Sequence, residues 1–160
     1  MAVSTTSPNH TSPNPQPPGA YLLDVARFIP FSCRWSAAGE FASVRVTGDL
    51  DRSTSPQFER TLQEAQRHAL LVVLDLRELE FMDSAGVHAI VDAHERAQQA
   101  GGRLAVVRGG HRIDRLFALT GTRDVLELVD LGPANPPVQA LLKLSGVRSN
   151  QGRRSTWCPS

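Results

Sequence analysis

Hydrophobic and polar positions change period several times along the chain. Phe31, Cys33 and Trp35 alternate with Ser32 and Arg34, and Ala42, Val44 and Val46 alternate with Ser43, Arg45 and Thr47. This period of two predicts two half-buried strands joined around Ala37 to Glu40, with Gly39 supplying the turn. Phe58, Leu62, Ala65 and Ala69 then recur at helical spacing behind Ser53-Thr54-Ser55-Pro56. Thr54 or Ser55 can cap such a helix, and Pro56 is tolerated in its first turn. Leu70 to Leu76 is a nearly unbroken apolar run of strand length, the mark of a strand covered on both faces. Val87, Ile90, Val91, His94 and Ala97 return to helical spacing, closed by Gly101-Gly102.

Leu104 to Val107 predicts another buried strand, and Ile113, Leu116, Phe117 and Leu119 another helix, stopped by Gly121. Val125, Leu126, Leu128 and Val129 predict a last short strand. The order β-β-α-β-α-β-α-β, with short connections, implies an α/β fold around a mixed, mostly parallel sheet of four to five strands with right-handed crossovers. Residues 1–20 are rich in Ser, Thr, Asn and Pro and carry no charged side chain, so a disordered tail is expected there, followed by one domain over residues 21–131. Pro133, Pro136 and Pro137 punctuate its end; residues 132–160 are expected to form a flexible tail in which Val138 to Leu144 has room for a short helix.

Charge narrows the function classes. Residues 21–131 hold 13 Arg against 16 acidic side chains, while residues 132–160 add four basic ones and no acid. No concentrated basic face is readable, which argues against direct contact with nucleic acid. Cys33 and Cys158 are the two cysteines and lack metal-ligand spacing, so neither a disulfide nor a metal site is expected. Without an 18-residue apolar run or a basic-then-apolar leader, the expected location is the cytoplasm, with no membrane partner.

The candidate chemistry lies where the central strand meets its helix, at Phe81-Met82-Asp83-Ser84-Ala85-Gly86. A helix N-terminus offers backbone N–H groups and the positive end of the macrodipole, so a phosphate on Ser84 would be well placed. It would add about −1.5 to −2 charges beside Asp83 and repel any partner bound there. The bland alternative makes Ser84 an ordinary N-cap, with Asp83 complementing the dipole. Asp49 and Asp51 sit in another strand-to-helix loop; a bare Asp-x-Asp reads as turn and cap chemistry more readily than as a metal site.

Phe81-Met-Asp-Ser-Ala-Gly-Val87, preceded by Val72-Val-Leu-Asp-Leu76, closely resembles the signature of STAS-domain anti-sigma factor antagonists. Val46-Thr-Gly-Asp-Leu-Asp51 is similar to that family's second-strand and loop motif, and Arg115-Leu-Phe-Ala-Leu-Thr-Gly121 to its third-helix motif. The resemblance implies a non-enzymatic regulator without a cofactor. Unphosphorylated, it would bind an anti-sigma factor that is also a serine kinase and so free a sigma factor. Phosphorylation at Ser84 would break that complex, and a serine phosphatase would restore it. The implied partner surface is Asp83, Ser84, Asp49 and Asp51, with Gly86 and His88 beside them. Ala85 stands where many members carry a second serine, and His88 where they often carry a small residue.

Rival readings are weaker. A nucleophile elbow needs Gly-x-Ser-x-Gly, and Met82 occupies the first glycine position. A phosphorylated Asp75 would resemble a receiver domain, but the one lysine, Lys143, lies beyond the final strand. A STAS scaffold, or a small subunit of a sensory or transport complex, keeps the fold without the switch. The oligomeric state is not readable from the sequence.

Overall fold

The computed structural model describes residues 29–144, so the tail expected at residues 1–20, the first residues of the expected domain (21–28) and the end of the expected 132–160 tail (145–160) lie outside the described residues. Residues 132–144, expected to be flexible, are instead packed against the sheet. Strands β1 (Ser32–Ala38) and β2 (Phe41–Leu50) form a hairpin, followed by helix α1 (Ser55–His68), β3 (Leu71–Met82), α2 (Ser84–Gln99), β4 (Arg103–Val107) and α3 (His111–Leu119). A short 3-10 turn (Thr122–Asp124), β5 (Glu127–Val129) and α4 (Gln139–Leu144) complete the described chain. The sheet order is β1-β2-β3-β4-β5; β1 runs antiparallel to β2, and every other pair is parallel. The expected mixed, mostly parallel α/β sheet is therefore present, with five strands. Gly39 makes the hairpin turn at φ +64°, a backbone conformation that side chains disfavour.

Strand alternation divides the side chains between the two faces of the sheet. On one face Val44, Val46, Val72, Leu74, Leu76, Leu104 and Val106 meet Phe58 and Leu62 of α1, Ile90 of α2 and Phe117 of α3. Each such fully buried side chain stabilises the fold by about 1.5–3 kcal/mol relative to exposure. On the other face Val73, Ala105, Val107 and Val129 pack against Ala140 of α4. Over β1 and β2 that second face is polar, with Arg34 and Ser36 exposed.

Several strands differ from their expected lengths, β3 and β5 most. β3 continues six residues past Leu76, because β2 also continues and the two stay paired to Leu50 and Met82. Register shifts between Arg45 and Thr47 and between Gly48 and Asp49 interrupt the alternation. The polar-looking stretch Arg77 to Met82 is thus strand with bulges, burying Leu79 and Met82. β5 is shorter than Val125 to Val129: Val125 is half exposed, and Leu126 is buried before the strand begins.

On the second face Asp75 is buried and grips Arg77, with Nη2 donating to Oδ2 at 2.7 Å and Nε to Oδ1 at 2.9 Å. Arg77 Nη1 also donates to the carbonyls of Gly132 (2.7 Å) and Asn135 (2.9 Å). The pair fastens the segment that leads into α4. Burial pushes the Asp75 carboxyl up, but the hydrogen bonds and charge of Arg77 outweigh it and hold the carboxyl below its ordinary value.

Candidate functional site

The parallel strands β2 and β3 end side by side, with Asp49 paired to Phe81 and Leu50 to Met82, and each then enters a helix. The carboxyl ends of parallel strands are where α/β folds place their sites, because loops there are held by the sheet yet face outward. Asp83, the single residue between β3 and α2, is the N-cap. Its backbone is extended, and Oδ1 accepts from the N–H groups of Ala85 (2.9 Å) and Gly86 (3.1 Å). Oδ2 accepts from the Arg52 N–H at 3.2 Å, and the Asp83 N–H donates to the Leu50 carbonyl at 3.2 Å. One carboxylate thus ties the start of α2 to the loop between β2 and α1.

This arrangement corrects the reading of Ser84 as an N-cap. Asp83 caps, and Ser84 is the first helical residue, exposed, with a hydroxyl that makes no hydrogen bond among the described residues. It also corrects the expectation of free N–H groups at this turn, since Asp83 already occupies those of Ala85 and Gly86. A phosphate at Ser84 would compete with the Asp83 carboxylate for them.

Asp49 and Asp51 have separate jobs, and only Asp51 lies in the strand-to-helix loop expected for both: Asp49 is still in β2, because the strand stays paired to β3 as far as Leu50. Asp51 Oδ1 accepts from the Ser53 hydroxyl (2.6 Å) and the N–H groups of Ser53 (2.8 Å) and Thr54 (3.1 Å). The Ser53 hydroxyl and these N–H groups hold the Asp51 carboxyl below its ordinary value. Thr54, at the expected cap position of α1, makes no side-chain cap bond; its hydroxyl accepts from the Asp51 N–H at 2.9 Å and donates to the Asp49 carbonyl at 3.0 Å. The Asp49 carboxylate is exposed beside Phe81. Among the described residues no group of three or more His, Cys, Asp and Glu could hold a metal.

Gly86 is buried under this surface rather than on it. A Cβ there would stand 2.6 Å from Met82 Cγ and 2.9 Å from Leu50 Cγ, so glycine lets α2 start directly against the strand ends. His88, one turn after Ser84, is exposed on the same helix. Two residues escaped the sequence reading as site residues. Phe81 is 51% exposed although its motif position looks apolar and buried. Arg52 is exposed beside the Asp83 carboxylate that its backbone reaches. No local signal marked Phe81, because the register shift between Leu79 and Phe81 leaves both Glu80 and Phe81 exposed and breaks the alternation that would have placed it.

The family model described as STAS domain matches residues 37–133. The chain is 33% identical over 89 residues to the anti-sigma F factor antagonist of Paenibacillus polymyxa, a stretch that is 54% of this chain and 76% of that relative. Its fold is similar to the crystal structure of an anti-sigma factor antagonist from Mycobacterium paratuberculosis, with a TM-score of 0.62 and 23% identity over 72% of this chain and 95% of that one. It is also similar to the Bacillus cell fate determinant SpoIIAA in its phosphorylated form, with a TM-score of 0.54 and 19% identity over 72% of this chain and 99% of that one.

Proposed function

The chain belongs to the STAS domain family, and on that premise we propose that it is an anti-sigma factor antagonist switched by phosphorylation at Ser84. The observation that carries the reading is the division of labour at one turn: Asp83 caps α2, which leaves the adjacent Ser84 hydroxyl exposed and without a hydrogen bond among the described residues. A kinase can reach that oxygen without dismantling the helix start. Ala85 follows it, so one hydroxyl is offered at this turn.

Unphosphorylated, the surface formed by Ser84, Asp83, Asp49 and the exposed Phe81 and His88 binds an anti-sigma factor, and the sigma factor is released. Phe81 supplies an apolar anchor of the kind that dominates interfaces, and the flanking carboxylates favour a basic partner surface. Gly86 and Asp51 act from behind, by shaping the joint and the loop. When the anti-sigma factor, acting as a serine kinase, transfers the γ-phosphoryl group of ATP to Ser84 Oγ, about −1.5 to −2 charges arrive beside Asp83. The complex is then repelled apart, and a serine phosphatase resets it. The exchange would take place in the cytoplasm, by binding rather than by catalysis in this chain.

Phosphosite mapping by mass spectrometry, after wild type and Ser84→Ala are incubated with Mg-ATP and an extract of the source cells, tests the switch. Phosphate on Ser84 that is absent from the variant is the expected result. Ser84→Ala should then capture the anti-sigma kinase, and Ser84→Asp should bind it at least about tenfold more weakly. An unmodified Ser84 in an extract whose kinase phosphorylates a control substrate would favour a STAS scaffold or a subunit of a sensory or transport complex. Equal capture by both variants would remove the switch.

A further inference from the structure

The chain enters the described domain beside the joint that holds Asp83 and Ser84. β1 runs antiparallel to β2 with Ser32 opposite Thr47, so the residues ahead of Ser32 run along β2 towards Leu50. Contacts at Gly48, where φ is +77°, continue this course: a Cβ there would stand 2.6 Å from the Ile29 carbonyl oxygen and 2.9 Å from the Phe31 nitrogen. On the other side of the same stretch of β2, Asp49 pairs with Phe81. Ile29 and Phe81 therefore flank the end of β2, about two strand spacings or roughly 10 Å apart. Both are apolar and uncovered among the described residues, 44% and 51% exposed.

This patch has an acidic rim. Ile29 lines a hollow of about 390 Å³ with Glu78 and Glu80, and Asp49 is exposed beside Phe81. The Arg77 guanidinium that also lines the hollow is already held by Asp75. Glu78 has Arg45 at 3.8 Å, whereas the carboxylates of Asp49 and Glu80 have no ion pair among the described residues. A covering segment must therefore bring apolar side chains and a base. Residues 21–28, outside the described residues, lead directly into Ile29 and read Tyr-Leu-Leu-Asp-Val-Ala-Arg-Phe. They are mostly apolar, with Arg27 two positions before Ile29. At about 3.3 Å per residue, about four residues already span the distance to Phe81. Attachment at Ile29 also spares the translational freedom that a separate partner must lose.

We propose that residues 21–28 dock in cis over Phe81 and Ile29, with Arg27 among the carboxylates of Asp49, Glu78 and Glu80. Docked there, they mask the apolar anchor of the Ser84 surface until a partner displaces them. That masking rests on the antagonist reading, whereas the docking itself does not.

Nuclear Overhauser contacts from the Phe81 ring in the full chain identify what covers it. Contacts to side chains of residues 21–28 are expected, and a mixture of labelled and unlabelled copies should show them within one chain only. Contacts to Trp157 instead, contacts between copies, or no contacts at all overturn the proposal. Trypsin gives an independent reading, because a docked segment must detach before it is cut. Cleavage after Arg27 should quicken about tenfold or more in the double variant Leu22→Ser, Leu23→Ser and in Phe81→Ser, while cleavage after Arg148 stays as in wild type. Circular dichroism verifies that each variant is folded. An unchanged rate after Arg27 in the double variant, whose changes lie outside both described cores, overturns the docking as well. In the Ser84→Ala background the double variant should capture the anti-sigma partner about tenfold more tightly, and capture of equal strength overturns the masking. Contacts at Phe81 without any capture would instead fault the antagonist reading and leave the docking standing.

Discussion

At Asp83 one carboxylate oxygen is held by the start of α2 and the other by the β2–α1 loop, so this side chain ties the two together. Asp83→Ala should cost about 1 kcal/mol of stability, the usual loss for an N-cap, read from urea unfolding. Asp83→Asn keeps the cap through its one amide oxygen and loses only the exposed bond from the Arg52 N–H, so its loss should be smaller than that of Asp83→Ala; if it nevertheless weakens partner binding strongly, the charge itself is recognised. Asp51 gives a pH effect of definite sign. Its carboxyl is depressed by Ser53 and Thr54, so its stabilising contribution is present above the ordinary value of 3.8 and is lost as pH falls below it. Asp51→Asn should accordingly flatten the acid limb of the stability curve. Ser84 was legible in the sequence because the motif fixes a strand end and a helix start around it. That Asp83 and not Ser84 caps was not legible, because two adjacent polar residues compete and only the backbone decides which is the last extended one.

At the element scale the joint between β3 and α2 depends on the absence of a side chain at Gly86. Gly86→Val would drive its methyl groups into Met82 and Leu50, and overpacking of this kind costs about 1–3 kcal/mol, to which the poorer helix propensity of valine adds little. Thermal unfolding should show the loss, with α2 as the first helix to lose amide protection. The elements with a clean period were visible in the sequence: α1, α2 and the hairpin carry uninterrupted alternation or helical spacing. The second half of β3 was hidden, because two bulges break its alternation and place charged Arg77, Glu78 and Glu80 among strand residues. Pairing with β2, not local propensity, makes that stretch a strand.

Across the whole molecule the sheet has two unequal covers, three helices on one face and α4 alone on the other, and the smaller cover depends on Arg77. The sequence leaves Val138 to Leu144 undetermined because six residues with one fully buried alanine carry too little period to reveal a packed helix. Its apolar residues pack on Val73, Ala105, Val107 and Val129, and the segment leading into it is fastened at Gly132 by a guanidinium 55 residues earlier, a contact that no local pattern encodes. Arg77→Met removes the bonds to Gly132 and Asn135 and also leaves the buried Asp75 carboxylate unpaired. Breaking a buried pair from one side costs about 3–5 kcal/mol, far more than the pair's net contribution to folding. The variant should therefore unfold at markedly lower denaturant, with amides of α4 exchanging faster than those of α1. Adding Asp75→Leu should restore part of the loss, because the uncompensated charge disappears with its partner. The pH dependence follows the same logic. Asp75 is depressed in the folded state, so its contribution holds above the ordinary carboxyl value of 3.8 and falls away below it. In wild type, then, acidification should loosen α4 before the helix-covered face. In the double variant the order of exchange between α4 and α1 should no longer depend on pH over that range, and an unchanged dependence would place the acid-sensitive group elsewhere.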